Sequence, residues 1–109
     1  MAFLGNWPSV VTGETKIFSI NFGPETGLVP GDTILSCSAS ISVASGVDPN
    51  AAALIDGTPY INGLFVSQIL SGGFVPLVVY RLMMKANMAS GLVFINDGHI
   101  PCIPTIPTT

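Results

Sequence analysis

Hydrophobic and polar residues alternate along most of this chain with a period of two, which is the period of a half-buried β-strand. The alternation first appears in residues 16–22, where Phe18, Ile20 and Phe22 share one face. It is clearest in residues 33–43, which predict a strand with a serine-rich outer face open either to solvent or to another subunit. The inner face of that strand is predicted to contain Leu35, Cys37, Ala39, Ile41 and Val43, with Ile34 and the serines opposite.

The middle of the chain has shorter strand patterns separated by turn-forming residues. Residues 53–55 and 60–61 are predicted as short strands around a tight Asp-Gly turn. The alanines at 51–53 could instead form one helical turn. Residues 64–70 form the next predicted strand, which ends at a Ser-Gly-Gly sequence.

The last third of the chain begins with a long predicted strand in residues 77–88. Arg81 and Lys85 mark one of its faces as exposed. The opposite, core face is predicted to contain Val78, Tyr80, Leu82, Met84, Ala86 and Met88. Residues 92–95 are then expected to pair back, a turn is predicted at Asn96-Asp97-Gly98, and residues 99–103 form the final strand.

These patterns predict an all-β fold, because about seven strands alternate with turns and no segment has a helical period of useful length. We expect a single immunoglobulin-like antiparallel β-sandwich. Its domain organisation is predicted as an extended N-terminal arm in residues 1–14, the sandwich in residues 15–103 and a C-terminal tail in residues 104–109. Tyr80, near the start of a late strand, is either a corner tyrosine or a plain core tyrosine.

Charged residues make up only 8% of the chain, whereas hydrophobic residues make up 49%. Soluble domains average about 25% charged residues, so we expect neighbouring subunits to cover much of this surface. The chain has no apolar run of the roughly 18 residues that a membrane span needs, and its start lacks the basic residues of a signal peptide. A net charge of −3 with three basic residues argues against nucleic-acid binding. We therefore expect neither membrane nor nucleic acid as a partner.

Groups that could carry catalysis or hold a metal are few. The six acidic residues lie in or beside predicted turns, where carboxylates bond backbone amides. Asp97 and the single histidine, His99, could join a serine in a triad, but the chain has no nucleophile-elbow motif. Asp48, Asn50 and Asp56 offer few oxygens for calcium. We therefore predict a protein that is not an enzyme, with no catalytic residues, no cofactor and no metal.

The two cysteines, Cys37 and Cys102, are far apart in the sequence and have no second pair of ligands near them. This spacing favours two small core residues that stay reduced. A disulfide between the second and last predicted strands is the alternative.

Several segments resemble a known family in order and spacing. They begin with Trp7-Pro8 and Glu14 and continue through the aromatic strand that ends at Phe22. The further segments are residues 31–34, 46–49, 66–73 and 79–82 and the Ser90-Gly91 turn. Together they resemble small tailed-phage virion proteins of the fiber-tail adaptor family, over residues 7–103. Residues 96–99 depart from the resemblance, because they are more irregular than a simple closing strand.

The resemblance implies a structural protein of a bacteriophage virion. It would be an adaptor or collar that connects the tail or neck to tail fibers through protein–protein contacts. Its partners would be other virion proteins, and its location would be the tail region of the virion, after assembly in the host cytoplasm. Because symmetric closure is the usual way to cover exposed apolar surface, a homo-oligomer is also expected.

The N-terminal arm supplies the candidate interface residues, which are Phe3, Leu4, Trp7 and Pro8. Tryptophan suits an anchor because it buries a large area while ordering few torsions. The alternative is that Trp7 folds back over the sandwich of its own chain. If the arm is the anchor, deletion of residues 1–14 leaves a folded domain that cannot dock.

Two other functions stay open. One is a capsid decoration protein that binds a shell lattice, and the other is a carbohydrate-binding module. Carbohydrate-binding modules present several aromatic platforms on one face, whereas the aromatic residues of this chain are spread over separate segments. They are Phe18, Phe22, Tyr60, Phe65, Phe74, Tyr80 and Phe94.

Overall fold

The fold is built almost entirely from β-strands. The computed structural model describes residues 4–7, 9–25 and 27–103. The strands are β1 (Leu4–Asn6), β2 (Val10–Val11), β3 (Thr15–Asn21), β4 (Ile34–Ser45), β5 (Ile55–Asn62), β6 (Phe65–Ser71), β7 (Val79–Met88) and β8 (Val93–Ile103). Among these residues the helical structure is one short 3₁₀ segment, Ala51–Leu54, and no helix is long and apolar enough to cross a membrane.

Two sheets form a sandwich. In the first, β7 lies between β4 and β8 and is antiparallel to both, while β1 and β2 run parallel to the far side of β8. In the second, β6 lies between β3 and β5 and is antiparallel to both. This strand order matches the immunoglobulin arrangement, in which strands B, E and D form one sheet and C, F and G the other. The predicted all-β antiparallel sandwich is confirmed.

The core lies between the sheets and is filled by alternate residues of each strand. On β7 the prediction is confirmed in full, because every residue assigned to its core face is buried. The second sheet contributes Phe18 and Ile20 from β3 and Val66 and Leu70 from β6. Burial of such side chains stabilises a fold by roughly 1.5–3 kcal/mol each. The alternation of the sequence therefore translates directly into the packing of the core.

The start of β4 differs from the prediction. Ile34 is buried and Leu35 is 68% exposed, which reverses the predicted faces of these two residues. The cause is a register shift between Ile34 and Ser36 in the pairing with β7, since an extra residue in one strand inverts the alternation. Beyond the shift, the predicted faces are confirmed. Ile41 is buried, Cys37, Ala39 and Val43 are half-buried, and Ser36, Ser38, Ser40 and Ser42 are exposed.

The turn predicted at Asn96-Asp97-Gly98 is wrong. β8 runs unbroken through these residues and pairs with β7 from Val93 to Pro101. The carboxylate of Asp97 is largely buried and forms an ion pair with the guanidinium of Arg81 on β7, which also donates a hydrogen bond to it. This partner stabilises an aspartate inside a strand, so a tertiary contact outweighs the local turn preference.

Residues 51–62 also differ from the prediction. The alanines form the 3₁₀ segment, and β5 is one strand with an irregularity between Asp56 and Tyr60 rather than two short strands. Gln68 of β6 is fully buried beside this irregularity. Its side-chain amide donates hydrogen bonds to the carbonyl oxygens of Asp56 and Gly57, at 3.2 and 3.3 Å. A side chain from the neighbouring strand therefore satisfies backbone carbonyls where the regular pairing of β5 with β6 is interrupted.

Tyr80 is a corner tyrosine. It is the second residue of β7, and its side chain is fully buried. Its hydroxyl accepts a hydrogen bond from the backbone N–H of Val75 and donates one to the Asp48 carboxylate, both at 2.7 Å. A bond from this tyrosine to backbone a few residues upstream is a feature of immunoglobulin-like domains. Burial raises the pKa of Tyr80 to about 12.

Cys37 and Cys102 are both free thiols, as favoured from their spacing. Cys37 lies on β4 and Cys102 on β8, and β7 lies between these strands. Strands separated by one other strand are about 9–10 Å apart, which is beyond the reach of a disulfide. Burial raises the pKa of both thiols.

Gly46 allows the chain to leave β4 close to Val78. Its φ is +97°, and a methyl group there would lie 3.1 Å from Val78 Cγ2 and 3.3 Å from Val78 Cα. We expect Gly46→Ala to lower the free energy of unfolding by about 2–3 kcal/mol, because the left-handed backbone alone costs roughly 1–2 kcal/mol. Gly91→Ala is the matched control, since its φ is +93° but its surroundings are open. Urea denaturation measures both; equal losses would mean that the contact with Val78 contributes nothing.

Candidate interaction surfaces

The N-terminal segment lies against its own sandwich where the structure describes it. β1 and β2 both pair with β8, with Leu4 opposite Asp97 and Val10 opposite Cys102. The prediction of extended backbone is therefore correct for these strands, but they form an edge of the first sheet. Phe3 and Pro8, two of the four predicted interface residues, lie outside the described residues, as does the predicted tail in residues 104–109.

Trp7 packs on the core of its own chain. Its side chain is half-buried, and its ring meets the ring of Phe18 edge-to-face with the centroids 5.6 Å apart. Its backbone N–H donates to the carbonyl of His99 at 2.9 Å. This is the folded-back alternative of the sequence analysis. A role of Trp7 as an anchor for another protein stays a prediction.

Val10 makes the N-terminal segment part of the core. Its side chain is buried, and the neighbouring Thr12 hydroxyl donates a 2.7 Å hydrogen bond to the carbonyl of Phe74. Removal of residues 1–14 would expose the core around Val10. We therefore expect the truncated chain to be destabilised, in contrast to the sequence-based expectation that it folds but does not dock.

Val47 and Leu77 form an exposed pair that we call the apolar tip. Their side chains are 80% and 77% exposed, the largest values among the exposed large hydrophobic residues. Gly46 packs against Val78, so Val47 and Leu77 lie at the same end of the sandwich. Both belong to loops, which a rigid sandwich positions and which commonly carry binding residues. The apolar tip is therefore a candidate contact surface.

Leu77 has an unfavourable backbone conformation. Its φ is +68°, and it is the one residue other than glycine with a positive φ in the described part of the chain. Pro76 and Leu77 are the central residues of a turn closed by a 3.2 Å hydrogen bond from the Val78 N–H to the Val75 carbonyl. A turn with this geometry usually has glycine at the position of Leu77. Leucine there costs roughly 1–2 kcal/mol while its side chain stays exposed, which indicates a role beyond the chain's own stability.

The outer face of the second sheet is a second candidate surface. We call it the outer apolar face; its residues are Ile17 on β3, Phe65 and Ile69 on β6, and Tyr60 on β5. Ile17 pairs with Ile69, and Tyr60 is diagonal to Phe65 through its pairing with Ser67. Three of the four side chains are substantially exposed. Exposed apolar residues that adjoin one another are typical of contact surfaces.

The aromatic residues separate into two groups in the structure. Phe18, Phe22, Phe74 and Tyr80 are buried in the core and Phe94 is half-buried. Tyr60 and Phe65 share the outer apolar face, close to Asn62. Tyr60 and Phe65 therefore form one small aromatic platform. The sequence did not predict it, because residues on neighbouring strands come from different segments of the chain.

The outer face of the first sheet is mostly polar, although Val93 and Ile95 of β8 are about half exposed on it. It carries the exposed serines of β4 and, on β7 and β8, the Arg81–Asp97 ion pair and Lys85. His99 is exposed on β8 opposite Arg81. The Asp97 carboxylate is bonded to Arg81, and within the described residues no hydrogen bond joins it to His99 as in a triad.

The remaining acidic side chains bond nearby groups of their own chain. Asp32 accepts hydrogen bonds from the Ser90 hydroxyl and from the backbone N–H groups of Thr33 and Ser90, and these bonds, led by the Ser90 hydroxyl, lower the pKa of Asp32. Asp56 accepts a bond from Ser71, and Glu14 accepts one from the Val11 N–H. No cluster of three or more histidine, cysteine or acidic residues occurs within residues 4–7, 9–25 and 27–103.

The apolar tip was not predicted from the sequence. Its one local signal is Pro76-Leu77, because a residue after proline in a tight turn can require a positive φ. Val47 lies in a segment that was used for the family resemblance, with no role assigned to its side chain. That Val47 and Leu77 lie at the same end of the sandwich follows from the packing of Gly46 on Val78, which only the tertiary structure reveals.

The geometry places the chain among all-β sandwiches with immunoglobulin-like strand order and exposed apolar surfaces. Comparison with known proteins adds no closer assignment. No protein-family model matches the sequence, and no curated protein is significantly similar to it.

Proposed function

We propose that this protein is a structural component of a bacteriophage virion, an adaptor or collar that connects the tail or neck to the fibers. The observation that carries the binding role is the apolar tip, where two aliphatic side chains are exposed at one end of the sandwich. The low charge content and the resemblance over residues 7–103 supply the virion context. The protein acts by binding other virion proteins and other copies of itself, without catalysis or cofactor.

The apolar tip would dock into a hydrophobic recess of a virion partner. Burial of each aliphatic side chain contributes roughly 1.5–3 kcal/mol to such a contact. The backbone at Leu77 is held in place because its turn is hydrogen-bonded and its own N–H donates to the Cys102 carbonyl at 2.9 Å. A preorganised turn loses little backbone entropy on binding, which favours a specific and stable contact.

The location is tested on purified phage particles that are dissociated into heads and tails. An antibody against this protein should detect it in the tail fraction. Detection in the head fraction would favour the capsid decoration alternative, and absence from the particles would overturn the virion proposal.

We expect Leu77→Gly to keep or raise stability and to weaken docking. Glycine adopts a positive φ without strain. The free energy of unfolding should therefore rise, or fall by less than about 1 kcal/mol. Incorporation into tails, measured in a complementation assay with tagged protein, should fall by about ten-fold or more, as loss of a buried leucine predicts.

Leu92→Gly is the matched control, because Leu92 is also exposed but follows β7 at the opposite end of the sandwich. It should leave incorporation unchanged. Equal incorporation of wild type and Leu77→Gly would exclude the apolar tip as the docking site.

Carbohydrate binding is the second candidate, and the pairing of Tyr60 and Phe65 on the outer apolar face favours it. Aromatic faces stack on sugar rings, and the neighbouring Asn62 could hydrogen-bond hydroxyl groups. A glycan array with wild type and Tyr60→Ala separates the candidates. Binding that disappears in Tyr60→Ala would favour the carbohydrate-binding module, whereas no binding by either protein would remove that candidate.

A further inference from the structure

The open edges of the two sheets differ in how they are protected against pairing with another strand. Natural sheets guard such edges with charges, prolines, irregularities or very short strands. β1 and β2 are only three and two residues long. β3 carries Lys16, and β5 carries Asp56, Pro59 and a register irregularity. The edge formed by β1 and β2, the edge at β3 and the edge at β5 are therefore protected.

β4 is the edge without such protection. It is 12 residues long and has no charged residue and no proline. Its register shifts lie at its two ends, so the stretch from Ser36 to Val43 pairs regularly with β7. No strand of the described residues pairs with the opposite side of this stretch, so its backbone N–H and C=O groups are available to another strand.

We propose that β4 pairs antiparallel with β4 of a second copy of this chain, about a two-fold axis at Ala39. The two first sheets then form one continuous sheet. This inference rests on the homo-oligomer part of the proposed function and assigns the contact between two copies to β4.

The side-chain pattern of β4 matches itself in this register. Residues opposite each other in an antiparallel pair point to the same face, so the serine face must meet a serine face. With Ala39 on the axis, Ser36 lies opposite Ser42 of the second copy and Ser38 opposite Ser40. On the inner face Cys37 lies opposite Ile41. A strand of another protein would need the same alternation of serines and apolar residues, whereas β4 of a second copy always has it.

Burial and charge also favour a second copy. Cys37, Ala39 and Val43 point toward the core but remain half-buried, and within the described residues the first sheet has no strand beyond β4. A second β4 would cover them. The absence of charge on β4 means that two copies of a chain with net charge −3 bring no like charges together at the junction.

The test is sedimentation of the purified full-length chain over a range of concentrations, with wild type, Ser40→Lys and Met83→Lys. Ser40 is at the centre of the edge, and Met83 is its partner on β7, one strand away from the edge. We expect a wild-type dimer. Ser40→Lys should raise its dissociation constant by about ten-fold or more, because each dimer then has two lysines at the junction. Met83→Lys adds the same charge to the same face and should leave dimerisation nearly unchanged.

A disulfide between the two β4 strands tests their register directly. It also tests the pairing if a lysine variant does not fold. In a Cys37→Ser background, Ala39→Cys should form a disulfide-linked dimer on mild oxidation, whereas Ser42→Cys, which lies opposite Ser36, should not. A wild-type monomer at all concentrations, or cross-linking that is equal at both positions, would overturn the β4 pairing. The virion proposal would fail separately, through absence of the protein from phage particles.

Discussion

Removal of residues 1–11 should lower the free energy of unfolding by about 3 kcal/mol. The deletion takes away the buried side chain of Val10, the packing of Trp7 on Phe18 and the backbone pairing of β1 and β2 with β8. Burial of valine contributes roughly 1.5–3 kcal/mol and each net hydrogen bond about 1 kcal/mol, and the freed conformational entropy offsets part of this loss. Such a loss is a large share of a typical total stability of about 5–15 kcal/mol.

Urea denaturation followed by circular dichroism is the appropriate measurement, because the chain's single tryptophan is lost in the truncation. Deletion of residues 1–3 is the comparison, since it keeps β1 and β2, and it should lower the free energy of unfolding by less than the longer truncation. Val10→Ala and Val11→Ala repeat the comparison within one strand: Val10 is buried, and Val11 is only half-buried. If the 1–11 truncation is as stable as the full chain, the segment is an independent arm, as the sequence alone suggested.

Tyr80→Phe should lower the free energy of unfolding by about 2 kcal/mol at pH 7. The substitution keeps the ring on Phe74 but leaves the Val75 N–H and one oxygen of Asp48 without the hydroxyl. A polar group that loses its partner in a buried position costs roughly 1–3 kcal/mol. Tyr60→Phe is the matched control, because Tyr60 is the other of the two tyrosines and its side chain is exposed.

Alkaline pH provides a second measurement on Tyr80. Burial raises the pKa of Tyr80 in the folded protein to about 12, from 10.0. Because the pKa of Tyr80 is higher in the folded than in the unfolded protein, the protonated hydroxyl contributes to the free energy of unfolding. This contribution is fully present below about pH 10 and is lost as the pH rises toward about 12. A shift of about two units corresponds to roughly 2–3 kcal/mol. The stability of wild type and Tyr60→Phe should therefore fall in this range more steeply than that of Tyr80→Phe; parallel curves would contradict the assignment.

Much of the fold was predictable because alternation determines which face of a strand is buried. From Val78, just before β7, to Met88 at its end, every second residue is buried, and Arg81 and Lys85 on the other face are exposed. The serines of β4 are exposed for the same reason. The position of Tyr80 near the start of a late strand left both a corner tyrosine and a plain core tyrosine open, and only its hydroxyl bonds decide between them.

The candidate surfaces were less predictable because they depend on contacts between distant segments. The predicted anchor residues Phe3 and Pro8 lie outside the described residues, and Trp7 packs on Phe18. The apolar tip needed the packing of Gly46 on Val78 to place Val47 and Leu77 at the same end of the sandwich. The pairing of Tyr60 with the strand that carries Phe65 needed the register of β5 and β6.

The sequence by itself determined the all-β class, the inner and outer faces of the regular strands and the scarcity of charge, because each follows from local pattern and composition. Only the tertiary structure decided the reversed faces at Leu35, the straight course of β8 through Asp97, the docking of the N-terminal strands and the positive φ of Leu77. The physical reason is that each of these depends on a partner far away in the chain. A bulge, a buried ion pair, a parallel strand pairing or a strained turn outweighs local preference only when that partner is in place.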